Sequence, residues 1–285
     1  MSALTWVFWV AGVASAFAWV ASLVSGDTSW VDRLWSILPA IYLIIFAAHR
    51  HFTSARLDVM AILVTLWAVR LTHNFARKGG YNGVEDYRWR VVREKMSGWQ
   101  FQLFNVFFIV LYQNALLVLI TLPAYSADQH RATPFGPWDA LLTLIFLGLL
   151  LGETAADQQQ WNFHQAKQRL AANGGLLEPG FLREGLFRYS RHPNYFFEIA
   201  QWWVVFAFAA LAARSALLAT ALGPVLLSFL FLGSTRFTEK ISAAKYPLYA
   251  NYQREVSAII PWRPRRGTIE PDVGASPSEP GFETS

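Results

Sequence analysis

No cysteine occurs anywhere in the 285 residues, which excludes disulfides, thiolate nucleophiles and cysteine-based zinc sites. Charge is scarce as well. Asp, Glu, Lys and Arg together make 15% of the chain, where a soluble domain carries roughly 25%. No Gly-x-Gly-x-x-Gly follows a strand pattern, no phosphate-binding loop ends in Lys-Ser/Thr, and no Ser-His-Asp set is recognisable by spacing. His164 has no second histidine one turn on and no glutamate in a ligand pattern, so no metal site is expected.

What the chain has instead is apolar length. Hydrophobic residues make 54% and aromatics 16%, and the mean hydropathy is +0.28. This composition belongs to a membrane protein. Apolar segments run over Leu4–Leu23, Leu34–Ala48, Leu57–Phe75, Leu103–Leu122, Trp138–Gly152, Tyr195–Ala213 and Leu217–Gly233, most of them near the length that spans about 30 Å of hydrocarbon. The expected fold is all-α, a polytopic bundle of about seven transmembrane helices. Six is the alternative, because the second and fifth runs are short unless Trp30 and Trp35, or the polar stretch after Glu153, extend them. The first run lacks a basic leader and reads as a span, not as a signal peptide.

Lys and Arg gather in three places: Arg77 to Lys95, Lys167 to Arg191, and Arg236 to Arg266. The positive-inside rule makes these segments cytoplasmic, with the N-terminus outside and the C-terminus inside, in the inner membrane if the source is bacterial. Arg50 and Arg56 dissent. The pI near 9.6 comes from juxtamembrane loops, so membrane lipid is the expected partner and nucleic acid is not. Residues 1–266 are expected to form a single catalytic domain, and the Pro-, Gly-, Ser- and Glu-rich 267–285 a disordered tail.

Chemistry is expected around Phe187–Glu198 (Phe-Arg-Tyr-Ser-Arg-His-Pro-Asn-Tyr-Phe-Phe-Glu). Pro193 suits the first turn of a helix, and Arg191, Asn194, Tyr195 and Glu198 then share one face. Arg188 and Arg191 beside a helix N-terminus suit an anion such as phosphate. Glu198, one turn into the membrane, requires a hydrogen-bonding partner or a proton. Arg70 lies within the third span, where an arginine faces a protein cavity or snorkels. Glu153, Asp157, Trp161, His164 and Lys167 form a polar stripe on a helix projecting into the cytoplasm. Asp32, near the outer end of span two between Trp30 and Trp35, is either a helix cap or a general acid. The tail residues Tyr246, Tyr249, Tyr252, Ile259, Ile260 and Trp262 form an amphipathic pattern fit for the membrane interface. The bland alternative for each cluster is a solvated face or a positive-inside loop.

Three stretches carry a resemblance: Gly185–Glu198, the Trp67, Arg70-Leu71, Arg77, Glu85–Trp89 pattern, and the Glu239-Lys240, Tyr249, Tyr252-Gln253, Ile260–Trp262 ending. Together they resemble the DUF1295 family, related to the C-terminal domain of the steroid 5α-reductases, over about Ser29 to Pro264. The resemblance implies a seven-helix enzyme that binds NADPH in a cytoplasm-facing cavity. It would reduce a carbon–carbon double bond conjugated to a ketone in a lipid-like substrate such as a 3-oxo-Δ4 steroid. The cofactor-binding Asn and Glu of those reductases match Asn194 and Glu198, and their basic residues after the third span are similar in placement to Arg77 and Lys78. Asp157 and Lys167 resemble the pair on their fifth-helix extension. Arg188, Arg191, His192, Tyr195 and Arg236 complete the expected cofactor set. Asp32 and Glu198 are the expected catalytic residues, with the tyrosine partner of the substrate-polarising acid aligning near Trp67.

The Arg-His-Pro-x-Tyr segment is also similar to that of the isoprenylcysteine carboxyl methyltransferases, which makes an S-adenosylmethionine-dependent methyltransferase the enzymatic alternative. A lipid-binding or structural membrane protein is the third.

Overall fold

The computed structural model describes residues 1–83 and 85–265; the expected tail at 267–285 lies outside the described residues. Seven helices among them are long and apolar enough to cross a membrane. Helix α1 (Ala3–Ser25) is capped by Ser2, whose hydroxyl accepts from Thr5 N, and ends where Gly26 takes a left-handed φ of 69°. Helices α2 (Trp30–Trp35) and α3 (Leu38–His49) together make the second crossing, so Trp30 and Trp35 do extend the short second run. Helix α4 (Ala55–Arg77) is the third crossing.

Short α5 (Tyr87–Arg93) and α6 (Gly98–Phe104) follow. Helix α6 passes through wide π-helical turns at Asn105–Tyr112 into α7 (Gln113–Gln129), the fourth crossing. Helix α8 (Pro137–Ala172) has 36 residues, about 54 Å against about 30 Å of hydrocarbon. Its polar second half therefore projects beyond the bundle. Helix α9 (Pro193–Ala213) starts at Pro193 as its sequence dictates, and α10 (Leu222–Lys245) and α11 (Tyr249–Glu255) follow.

Close helix contacts rest on small residues. A side chain at Gly152 of α8 would collide with the Phe197 ring of α9, and one at Gly223 of α10 with the Leu119 carbonyl of α7. Trp67, Trp202, Tyr42, Phe46, Phe146 and Phe208 fill the centre of the bundle.

Two expectations change. The tail aromatics do not all lie at the membrane interface: Tyr249 and Tyr252 are 5% and 6% exposed and close on Phe181, leaving Ile260 and Trp262 outside. Burial pushes the Tyr249 phenol up to about 12. Asp32 is not at the far end of the second crossing but at the end where α4 finishes and α9 begins, because α2 enters the bundle there.

Candidate functional site

At that end a cavity of about 710 Å³ opens between α2, α4, α5, α8, α9 and α10 and the π-helical turns before α7. Its polar lining includes Asp32, Lys78, Arg88, Asp157, Asn194 and Glu198, and its apolar wall Phe104, Phe108, Phe229, Phe231 and Phe237. A chamber of this size, in which an apolar wall faces a set of converging polar groups, has the character of a small-molecule site.

Arg70 is the hub beneath the polar lining. Its Nη2 lies 2.6 Å from Glu153 Oε1 and 3.6 Å from Glu198 Oε2, and its Nη1 2.7 Å from Asp157 Oδ2. Three carboxylates thus share one guanidinium, and Lys78 Nζ, 3.8 Å from Asp157 Oδ1, is the other cation near them. Neutral donors share the load. Trp67 Nε1 donates to Glu198 Oε2 at 2.9 Å, and Trp202 Nε1 to Oε1 at 3.1 Å. Gln201 donates to Glu153 at 2.7 Å and Asn74 to Asp157 at 2.7 Å. Trp67, where the resemblance places a tyrosine, thereby acquires a definite role in holding Glu198. Partial desolvation lowers the Lys78 ammonium from the usual lysine range, although its side chain keeps 37% exposure.

The second polar corner is Asp32. Trp89 Nε1 donates to Asp32 Oδ2 at 2.9 Å, and beside it Arg88 forms a paired contact with Asp86, Nε to Oδ1 at 3.0 Å and Nη2 to Oδ2 at 2.9 Å. The corner joins the starts of α2 and α5, 57 residues apart in sequence.

Of the residues proposed from sequence, Asp32, Lys78, Asp157, Asn194, Tyr195 and Glu198 line this cavity. The others are placed elsewhere. Arg77 donates to Asn74 Oδ1 and Gln158 Oε1 and lies over Trp161. Lys167 donates to Gly180 O and the Tyr246 hydroxyl, while Arg188 and Arg236 are exposed. Arg191 is spent on a latch: its Nε and Nη2 reach Glu239 at 2.6 and 2.9 Å, and its Nη1 donates to the carbonyls of Gln253 and Val256. His192 Nε2 sits 3.2 Å from the same Glu239. These contacts hold the tail against the start of α9, reinforced by backbone bonds from Arg191 and His192 to Ser257 and Ala258. A guanidinium so occupied is not free for phosphate.

Sequence reasoning missed Arg88, Trp89 and Gln113 as lining residues, and gave Trp202 no role. Trp202 falls one helical turn after Glu198, so spacing alone could have paired them. Nothing local pairs Trp89 with Asp32.

A model of the family described as "Protein of unknown function (DUF1295)" matches residues 18–256. The chain belongs to the DUF1295 family. The similarity extends to an uncharacterized protein, C594.04c, of Schizosaccharomyces pombe, 40% identical over 260 residues, which cover 85% of this chain and 75% of the yeast protein. No solved structure matches significantly. Residues 18–256 of this DUF1295 protein contain all the side chains that build the Arg70 hub and the Asp32 corner.

Proposed function

We propose that this protein is a membrane-embedded reductase that uses NADPH to saturate a carbon–carbon double bond conjugated to a ketone in a lipid-like substrate such as a 3-oxo-Δ4 steroid. The observation that carries this reading is that Asn194 and Glu198, one turn apart on α9, open onto the same cavity as Asp32 from α2. NADPH, when bound, would supply a hydride to the carbon β to the ketone, and the saturated ketone forms once the α-carbon takes a proton from solvent. The cavity has groups that suit it: the Asn194 amide has no partner among the described residues, and Lys78 and the Nη1 of Arg88, which the pairing with Asp86 leaves unused, offer positive charge for phosphates. Glu198, already held by two indoles, is fixed in place to accept from a carboxamide or a ribose hydroxyl.

As the hydride arrives, negative charge grows on the ketone oxygen, and a donor aimed at that oxygen lowers the barrier. Asp32 serves if Oδ1 carries a proton, since Trp89 occupies Oδ2. The aromatic wall accepts the apolar body of the substrate and excludes water.

The same assignment sets the orientation. The cavity mouth faces the cytoplasm with the C-terminus, and the N-terminus lies outside, since the basic loops fall at the cavity end. The dissenting Arg50 and Arg56 lie at the other end and pair with Asp128 and Asp139.

One observation favours the methyltransferase as the second reading. The lining holds five carboxylates, Asp32, Asp86, Glu153, Asp157 and Glu198, against Lys78 and Arg88, and a sulfonium cation is attracted where phosphates are repelled. Thermal unfolding of the detergent-purified protein with NADPH, NADH and S-adenosylmethionine in parallel separates the two, because a ligand at about 100 Kd adds about 2.7 kcal/mol to the folded state. A shift with NADPH, joined by NADPH oxidation when enone lipids are added, is the expected result. A shift with S-adenosylmethionine alone sinks the reductase.

A further inference from the structure

Gln113 is the cavity residue that the proposed reaction leaves without a task. It is 5% exposed, it lines the chamber, and its amide has no hydrogen-bond partner among the described residues. Its neighbour Asn114 does not line the chamber and donates to Val110 O at 2.9 Å. An amide that opens onto a chamber without a protein partner is free to pair with one that arrives from outside.

Its place in the wall indicates which partner. Trp89, which holds Asp32, touches Phe104 with ring centroids 6.2 Å apart. Phe104 stacks on Phe108 at 4.9 Å, and Phe108 on Tyr112 at 5.4 Å with planes 7° apart. All four rings line the cavity, and Gln113 follows Tyr112 directly. An aromatic strip therefore runs from a polar corner at Asp32 to a polar corner at Gln113. The last two of its rings lie on π-helical turns, a geometry that concentrates at functional sites.

We propose that Gln113 anchors a second oxygen function of the ligand, a hydroxyl or carbonyl, at the end of an elongated flat body whose other polar end meets Asp32. The identity of the end at Asp32 rests on the reductase reading. A flat apolar body matches a strip whose last three rings, Phe104, Phe108 and Tyr112, are stacked. A neutral oxygen matches a neutral amide that can both donate and accept, whereas a charged group would lie uncompensated among phenylalanines.

The test is equilibrium binding of two 3-oxo-Δ4 androstane steroids, one bearing a 17-oxo group and one without it, to the full-length detergent-purified protein in the absence of NADPH. The wild type is expected to favour the 17-oxo steroid by about tenfold or more, because a site built for a hydrogen bond rejects the analogue that lacks it. Gln113→Leu and Gln113→Met are expected to erase that preference while keeping the wild-type Tm, since neither apolar side chain can pair with an oxygen and the amide has no protein partner to lose. Equal binding of both steroids by the wild type, a preference that survives in Gln113→Leu, or a Tm lowered in both variants overturns the assignment. NADPH oxidation by the wild type is followed alongside. Absence of oxidation with either steroid counts against the reductase alone, while the binding preference and its loss still decide the role of Gln113.

Discussion

Two charge clusters at opposite ends of the helical bundle are built in opposite ways. At the end away from the cavity Arg50 and Arg56 each have their own carboxylate. Arg50 meets Asp128 at 2.6 Å, and Arg56 meets Asp139 through two bonds of 2.6 and 2.8 Å while donating to the carbonyls of Thr133 and Pro134. At the cavity end one guanidinium, Arg70, serves Glu153, Asp157 and Glu198 together. The first arrangement is balanced, and its work is to fasten loops. The second is short of positive charge among its buried groups, and neutral donors from Trp67, Trp202, Gln201 and Asn74 make up part of the deficit.

The sharpest way to break this contrast is to remove a cation from the balanced end. Arg56→Leu leaves Asp139, itself 3% exposed, without its partner and is expected to cost about 3–5 kcal/mol. Adding Asp139→Leu should restore most of the lost Tm, and ligand response per folded molecule should not change in either variant. A single variant as stable as the wild type would mean that the pair does not fasten this end.

The matching change at the cavity end should act on binding as well. Glu198→Gln removes one of three carboxylates from a hub with one arginine but sets its amide nitrogen against one of the two indole donors, so its Tm is expected to fall, though less than that of Arg56→Leu. NADPH affinity should drop about tenfold, or about 1.4 kcal/mol. Titration of NADPH into the purified variant checks it, and a loss of stability with unchanged affinity would make Glu198 a structural member like Asp139.

The smallest effect sharpens the comparison through pH. Phosphate binding favours the charged form of Lys78, whose ammonium is lowered from the usual lysine range by desolvation. Its contribution is thus complete below that lowered value and is lost as pH rises through it, before the ordinary lysine value of about 10.4 is reached. NADPH affinity is expected to fall by up to about tenfold at alkaline pH in the wild type. It should stay flat in Lys78→Arg, because a guanidinium keeps its charge. An identical alkaline decline in both proteins would detach Lys78 from the phosphates.

Much of this was legible along the chain. Helix α9 starts at Pro193, and Asn194 and Glu198 reach one chamber, because helix starts and faces follow from local backbone rules. The polar extension of α8 was visible as a stripe outlasting its apolar run. Arg191 and His192 were misleading because the sequence shows a cation beside a helix N-terminus but not the Glu239 that folds onto it from α10. Tyr249 and Tyr252 carried the same ambiguity, since an aromatic stripe suits a lipid interface and a small protein core equally well until Phe181 is placed against it.

The amino-acid sequence by itself determined an all-helical architecture of six or seven crossings, since hydrocarbon admits little besides apolar helices of sufficient length whose backbone bonds close internally. It also determined the apolar lengths, the polar ends and the start of α9. Only the tertiary structure decided which charges are spent and which remain available. Arg191 is consumed by Glu239, Arg70 is divided among three carboxylates, Asp32 is set against Trp89, and Gln113 is left facing a cavity. These pairings join residues far apart in the chain, and at such separations a side chain's partner is chosen by helix packing, not by its neighbours in sequence.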